Sequence, residues 1–247
     1  VFKTGNNGTC EVTNSTFSDN HTSIAIEGRS SPSSFVDITG NTFNSLDLHS
    51  AYMLNNQSNT NIINLINAYN SVHTYISAIG TLRLNVYNGS TAGNTFEGLN
   101  ETQIDNNWNI NDYPVVHAIR TIASTNILIS NNSFTKAFFA SVYGSDVEDF
   151  EVTSNNFSTD PASLLFYGRA ILIENESNNI GLYDNAFANH KVGAEVIASQ
   201  NIKIRNASTG NSFNTVLEGV ILKECGLFDV SNNQFQGGSP VNTETGI

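Results

Sequence analysis

The sequence predicts an all-β fold: a single right-handed parallel β-helix solenoid of about nine coils, with an Asn ladder and stacked Phe rings. Three observations predict it. A short motif ending in an aromatic residue recurs along almost the whole chain. Apolar residues alternate with others at period two, the strand period. No segment carries a sustained i, i+3, i+4 pattern of helix formers.

The repeat comes first because it fixes the register of everything else. Segments Val12–Phe17, Ile38–Phe43, Ile129–Phe134, Val152–Phe157, Leu182–Phe187 and Val230–Phe235 each run from an aliphatic residue through a polar turn to Phe. Two copies reach the same ending through a longer turn, at Phe96 and Phe213, and a weaker copy ends at Tyr69. Asn stands two residues before the aromatic at Asn41, Asn67, Asn94, Asn132, Asn155, Asn185, Asn211 and Asn233; Ser15 takes that place in the first copy. Asn is abundant, at 38 of 247 residues, yet eight hits in nine fixed positions mark a structural role.

Each coil opens with a short strand, as in Ile127–Ile129, Phe150–Val152, Ile180–Leu182 and Ile202–Ile204. The polar turn after it needs residues that accept left-handed backbone, and Asn does so better than other non-Gly residues. Coils stacked about 4.7–4.9 Å apart bring equivalent Asn amides into hydrogen-bonding reach, each giving and accepting once. The Phe then turns inward to stack on its equivalents. A second apolar stretch completes the coil, for example Ser23–Ile26, Ala194–Ile197 and Gly219–Leu222. A leucine-rich repeat shares the period and the fixed Asn, but it needs several Leu per unit, and 15 Leu across nine copies are too few.

One domain is expected over residues 1–247, with coils over about 10–236 and a polar tail at 237–247. The chain starts almost directly in the repeat, with no capping helix, so it is expected to be a fragment of a longer chain. Cys10 and Cys225 fall in coils near opposite ends, too far apart for a disulfide, whose Cα atoms must lie within about 7 Å.

Composition removes several function classes. Lys plus Arg number 10, spread singly, in a chain of net charge −12, so no nucleic-acid partner is expected. No apolar run reaches 18 residues, so no membrane insertion by a helix is expected. Charged residues make up 13% of the chain, while Ser and Thr fill 49 positions. A surface of amides and hydroxyls suits an extracellular, cell-surface or virion-surface protein.

The Ile-x-Ile-x-x-Asn-x-Phe pattern, from about Cys10 to Phe235, resembles the parallel β-helix repeat of the pectin-lyase-like superfamily. The resemblance implies the fold. For activity it implies only a range, from polysaccharide lyases, glycoside hydrolases and epimerases to phage tailspikes and non-catalytic adhesins.

Candidate site residues follow from where insertions and outward strand faces fall. The longest spacing, between Phe96 and Phe134, contains Trp108 and Tyr113, and the next longest contains Tyr167; these three aromatics are the candidates for stacking on sugar rings. Stacking of coils is expected to bring Arg120, Tyr143, Arg169 and Glu195 together on one strand region, with His117 beside them. An Arg to neutralise a carboxylate, a Tyr or His base and a nearby acid are what β-elimination from a uronate requires. A second column, Lys136, Asp160 and His190–Lys191, reads as a solvated charge ladder. Carboxylates are scattered, zinc spacings and phosphate loops are missing, and no metal or cofactor is expected.

The expected function is a rigid stalk, adhesin or matrix element. Its partners would be a polysaccharide or glycan surface, or neighbouring subunits, including copies of itself in a homo-oligomer. The alternative is a polysaccharide-degrading enzyme, a lyase or glycoside hydrolase, including a phage tailspike depolymerase.

Overall fold

Parallel pairing of short strands organises the molecule into a β-solenoid. The computed structural model describes residues 2–4, 10–18, 22–27, 36–44, 72–79, 84–86, 93–98, 115–136, 139–159, 168–205 and 209–236. Among them there is no helix. Five successive turns run from Val115 to Gln236. They comprise β10 (Val115–Ser130) and β11 (Ser133–Thr135); β12 (Ala140–Thr153) and β13 (Asn156–Ser158); β14 (Arg169–Glu174), β15 (Asn178–Tyr183) and β16 (Ala186–Ala188); β17 (Val192–Ile197), β18 (Gln200–Arg205) and β19 (Ser212–Asn214); and β20 (Glu218–Lys223), β21 (Gly226–Ser231) and β22 (Gln234–Gln236). Before them lie β1 (Phe2–Thr4), β2 (Cys10–Thr13) and β3 (Thr16–Ser18); β4 (Thr22–Glu27), β5 (Val36–Thr39) and β6 (Thr42–Asn44); and β7 (Val72–Ile79), β8 (Leu84–Val86) and β9 (Thr95–Glu97).

The short third strands form one sheet in the order β22-β19-β16-β13-β11-β9-β6-β3. Its Phe residues stack in a single file, Phe17, Phe43, Phe96, Phe134, Phe157, Phe187, Phe213 and Phe235, with centroids 4.6–5.1 Å apart and planes within 9°. Free aromatic pairs favour offset or edge-on geometry. Here the strand spacing imposes face-on stacking, because equivalent residues can be no farther apart than neighbouring strands. A second interior file, Val12, Ile38, Val86, Ile129, Val152, Leu182, Ile204 and Val230, faces the rings from the second strand of each turn.

The Asn ladder runs beside the Phe file. The Oδ1 of Asn155 accepts the Asn132 backbone N–H at 2.9 Å and its Nδ2 at 3.1 Å, while Asn155 Nδ2 donates to the Ile129 carbonyl at 2.9 Å. The same pattern joins Asn41 to Asn94, Asn94 to Asn132, Asn155 to Asn185, Asn185 to Asn211 and Asn211 to Asn233. From Asn94 onward each amide oxygen thus accepts twice, and each amide nitrogen reaches a backbone carbonyl as well, more than the single exchange expected. The ladder residues themselves do not make the corner. The residue before most of them takes the left-handed backbone: Gly40, Asn131, Ser154, Asp184, Gly210 and Asn232, as does Asn14 before Ser15, at φ from 49° to 87°.

The expectation of nine coils is corrected. β6 pairs directly with β9, Phe43 stacks on Phe96 at 4.7 Å, and the Asn41 backbone N–H donates to Asn94 Oδ1 at 2.9 Å. No rung ending at Tyr69 fits between them, and Asn67 and Tyr69 lie outside the described residues. The space beside these rings is filled instead by buried Tyr75, whose hydroxyl donates to the Glu97 carbonyl at 2.6 Å. Cys10 and Cys225 are both free, as their separation along the axis requires.

Candidate functional site

The first strands of the turns lie side by side as β4, β7, β10, β12, β14, β17 and β20. Their alternation sets an interior file of Ile76, Ile119, Val142, Ile171, Ala194 and Val220, all buried. One residue onward, the outer face carries Ser77, Arg120, Tyr143, Leu172, Glu195 and Ile221 in register. Arg120 and Tyr143 are therefore direct neighbours, as the sequence predicted, while Glu195 stands two rungs beyond Tyr143. Arg169 belongs to a different file, with His117, Ala140, Val192 and Glu218. Its long side chain closes the offset and bonds Glu195 through Nε.

Two clusters result. In the first, the His117 ring stacks on Tyr143 with centroids 4.8 Å apart, and the Tyr143 hydroxyl donates to Glu174 Oε1 at 2.7 Å. In the second, Glu195 is gripped by Arg169 on one oxygen and by Lys223 Nζ on the other at 2.6 Å. Phe139 bridges them: the His117 ring meets it edge-on at 5.8 Å, and the Arg169 guanidinium carbon lies 5.2 Å from its centroid.

The electrostatics fix what these groups can do. Burial pushes the Tyr143 phenol above its usual pKa, and donation to Glu174 pushes it further. Burial lowers His117 to about 4, only partly offset by its bond to the Ala140 carbonyl, and nearby Arg120 lowers it further. That carbonyl accepts at 3.1 Å, so His117 Nδ1 carries the proton and the ring is neutral at pH 7. For Glu195, burial favours the neutral acid, but hydrogen bonds from Lys223 and Arg169 outweigh it, and the carboxyl stays below its ordinary value. It is a fixed anion rather than a proton donor. Arg120, half-buried and lowered by that burial, makes no ion pair among the described residues.

Glu174, Phe139 and Lys223 were not among the sequence candidates. Lys223 could have been found by register, since it pairs with Ile197, two residues beyond Glu195 on the same outer face. Trp108, Tyr113 and Tyr167 lie outside the described residues. Of the second column, part lies among the described residues. Lys136 pairs with Glu97, His190 is buried, and Asp160 lies outside the described residues. Among the described residues no three His, Cys, Asp or Glu side chains gather as metal ligands would. No protein-family model, no curated protein and no solved structure matches this chain.

Proposed function

We propose that this chain is a rigid solenoid segment of a secreted, cell-surface or virion-surface protein. It serves as a stalk, adhesin or matrix element that contacts glycan or neighbouring subunits, and it is kin to the non-catalytic members of the pectin-lyase-like superfamily. The observation that carries the reading is the unbroken Asn ladder and Phe file, which make a stiff axis in which every buried amide is bonded. On its outer face Arg120 offers a positive charge without a counter-ion among the described residues, a contact for acidic sugars.

A second reading, a uronate lyase, draws on the closeness of Arg120, Tyr143 and Glu174. Against it, Tyr143 holds its proton more tightly than usual, His117 is buried and Glu195 is locked in ion pairs. One assay separates the two: acidic polysaccharides are incubated with the protein while binding, unsaturated-product absorbance and reducing ends are followed. Binding that weakens about tenfold in Arg120→Ala, with no product, supports the structural reading. Product formation that disappears in Tyr143→Phe or Arg169→Ala overturns it in favour of the enzyme.

A further inference from the structure

The second strands of the turns carry a separate outer face. Its central file is Leu128, Glu151, Gly181, Lys203 and Asp229, in direct register. Beside it runs a corner of left-handed residues, Asn126, Asp149, Asn179, Asn201 and Leu227, at φ from 51° to 53°. On the other flank stand Thr153, Tyr183, Arg205 and Ser231. Between the flanks lies an open groove of about 520 Å³, within the size range of small-ligand clefts.

Gly181 shapes this groove. A Cβ at that position would lie 2.5 Å from Cε2 of Tyr183 and 2.8 Å from its hydroxyl oxygen. The tyrosine ring therefore lies across the glycine, flat along the sheet, instead of standing away from it. The Tyr183 hydroxyl makes no hydrogen bond among the described residues, and neither do the side chains of Glu151 and Lys203, exposed on the rungs to either side. Asp149 holds Asn179 at the corner, fixing the opposite wall. A flat aromatic platform between an unpaired acceptor and an unpaired donor suits a ring with one apolar face and a rim of hydroxyls.

We propose that this groove is a saccharide-binding site in which Tyr183 stacks on the face of a neutral or N-acetylated sugar while Glu151 and Lys203 hydrogen-bond its hydroxyls. Uronates are disfavoured, because Asp149 and Glu151 outnumber Lys203 among the charges lining the groove. The proposal shares with the functional reading only the class of ligand, and it uses a different face of the solenoid.

The test is calorimetric titration of the whole chain with short neutral, N-acetylated and uronate oligosaccharides. Neutral or N-acetylated sugars should bind about tenfold more weakly to Tyr183→Ala. Gly181→Ala, which keeps the tyrosine but displaces its ring, should weaken them similarly, and Tyr183→Trp should retain them. Circular dichroism checks that each variant is folded. Arg120→Ala should leave this binding unchanged while weakening uronates on the first face. Absence of neutral-sugar binding, or binding indifferent to Tyr183→Ala and Gly181→Ala, overturns the proposal, and the uronate arm reports separately on the first face.

Discussion

Single residues in this molecule matter according to how many groups they leave stranded. Asn155 satisfies the backbone N–H and amide of Asn132 and the carbonyls of Ile129 and Thr153. Asn155→Ala should cost about 3 kcal/mol, because buried donors and acceptors lose their partners. Asn233→Ala, at a half-exposed rung, should cost about 1 kcal/mol. Urea unfolding measures both, and equal costs would contradict the ladder's role. Titration supplies a second prediction. His117 and His190 titrate at about 4 and about 3 in the folded chain, against 6.5 when unfolded. The unfolded chain therefore takes up protons first, so stability is full above 6.5 and is lost as pH falls toward the folded values. The depressed Glu195 adds a further loss below the ordinary carboxylate value of 4.5. Because burial, outweighing the backbone contact with Phe157, penalises the charged form of His190, His190→Leu should raise the urea midpoint more at about pH 5 than at about pH 7.5. An equal gain at both would show that His190 does not contribute to the slope.

At the level of strands and corners, backbone spacing sets tolerance. A Cβ on Gly193 would lie 2.5 Å from the Gly219 carbonyl oxygen and 2.6 Å from the Phe213 ring, so backbone and core both resist. At Gly144 the nearest atom is a Val147 methyl at 3.2 Å, which can give way. Gly193→Ala should therefore cost about 3 kcal/mol and Gly144→Ala less than about 1 kcal/mol, read from thermal or urea midpoints. The interior was legible in the sequence because it repeats: Val152, Asn155 and Phe157 each meet an equivalent on the rungs to either side. Arg120 beside Tyr143 was legible for the same reason, as β10 passes to β12 with little inserted chain. Tyr69 misled because an aromatic two residues after an Asn is necessary for a rung but not sufficient; strand pairing must follow, and β6 pairs with β9 instead. Lys223 and the flat Tyr183 were hidden because outward positions carry no repeat constraint. What they touch depends on side-chain length and on a single glycine.

Across the whole molecule, each turn rests only on its neighbours, so stability grows as turns are added. The last turn has no successor in the described chain, and its Phe228 is 56% exposed, against complete burial of the equivalent Ile202. Amide exchange should accordingly be slowest near Asn155 and Asn185 and faster by an order of magnitude or more at Asn233. The central claim is that equivalent residues sit one above another along a single axis, one rung per strand spacing. Glu11, Asp37, Asn85, Leu128, Glu151, Gly181, Lys203 and Asp229 form one such file in backbone register. The direct measurement is spin-label distance between Glu11→Cys and Glu151→Cys, and between Glu11→Cys and Asp229→Cys, with both native cysteines replaced. Stacking at about 4.8 Å per rung predicts about 19 Å for the first pair and about 34 Å for the second. Equal distances, or a second distance shorter than the first, would contradict the solenoid.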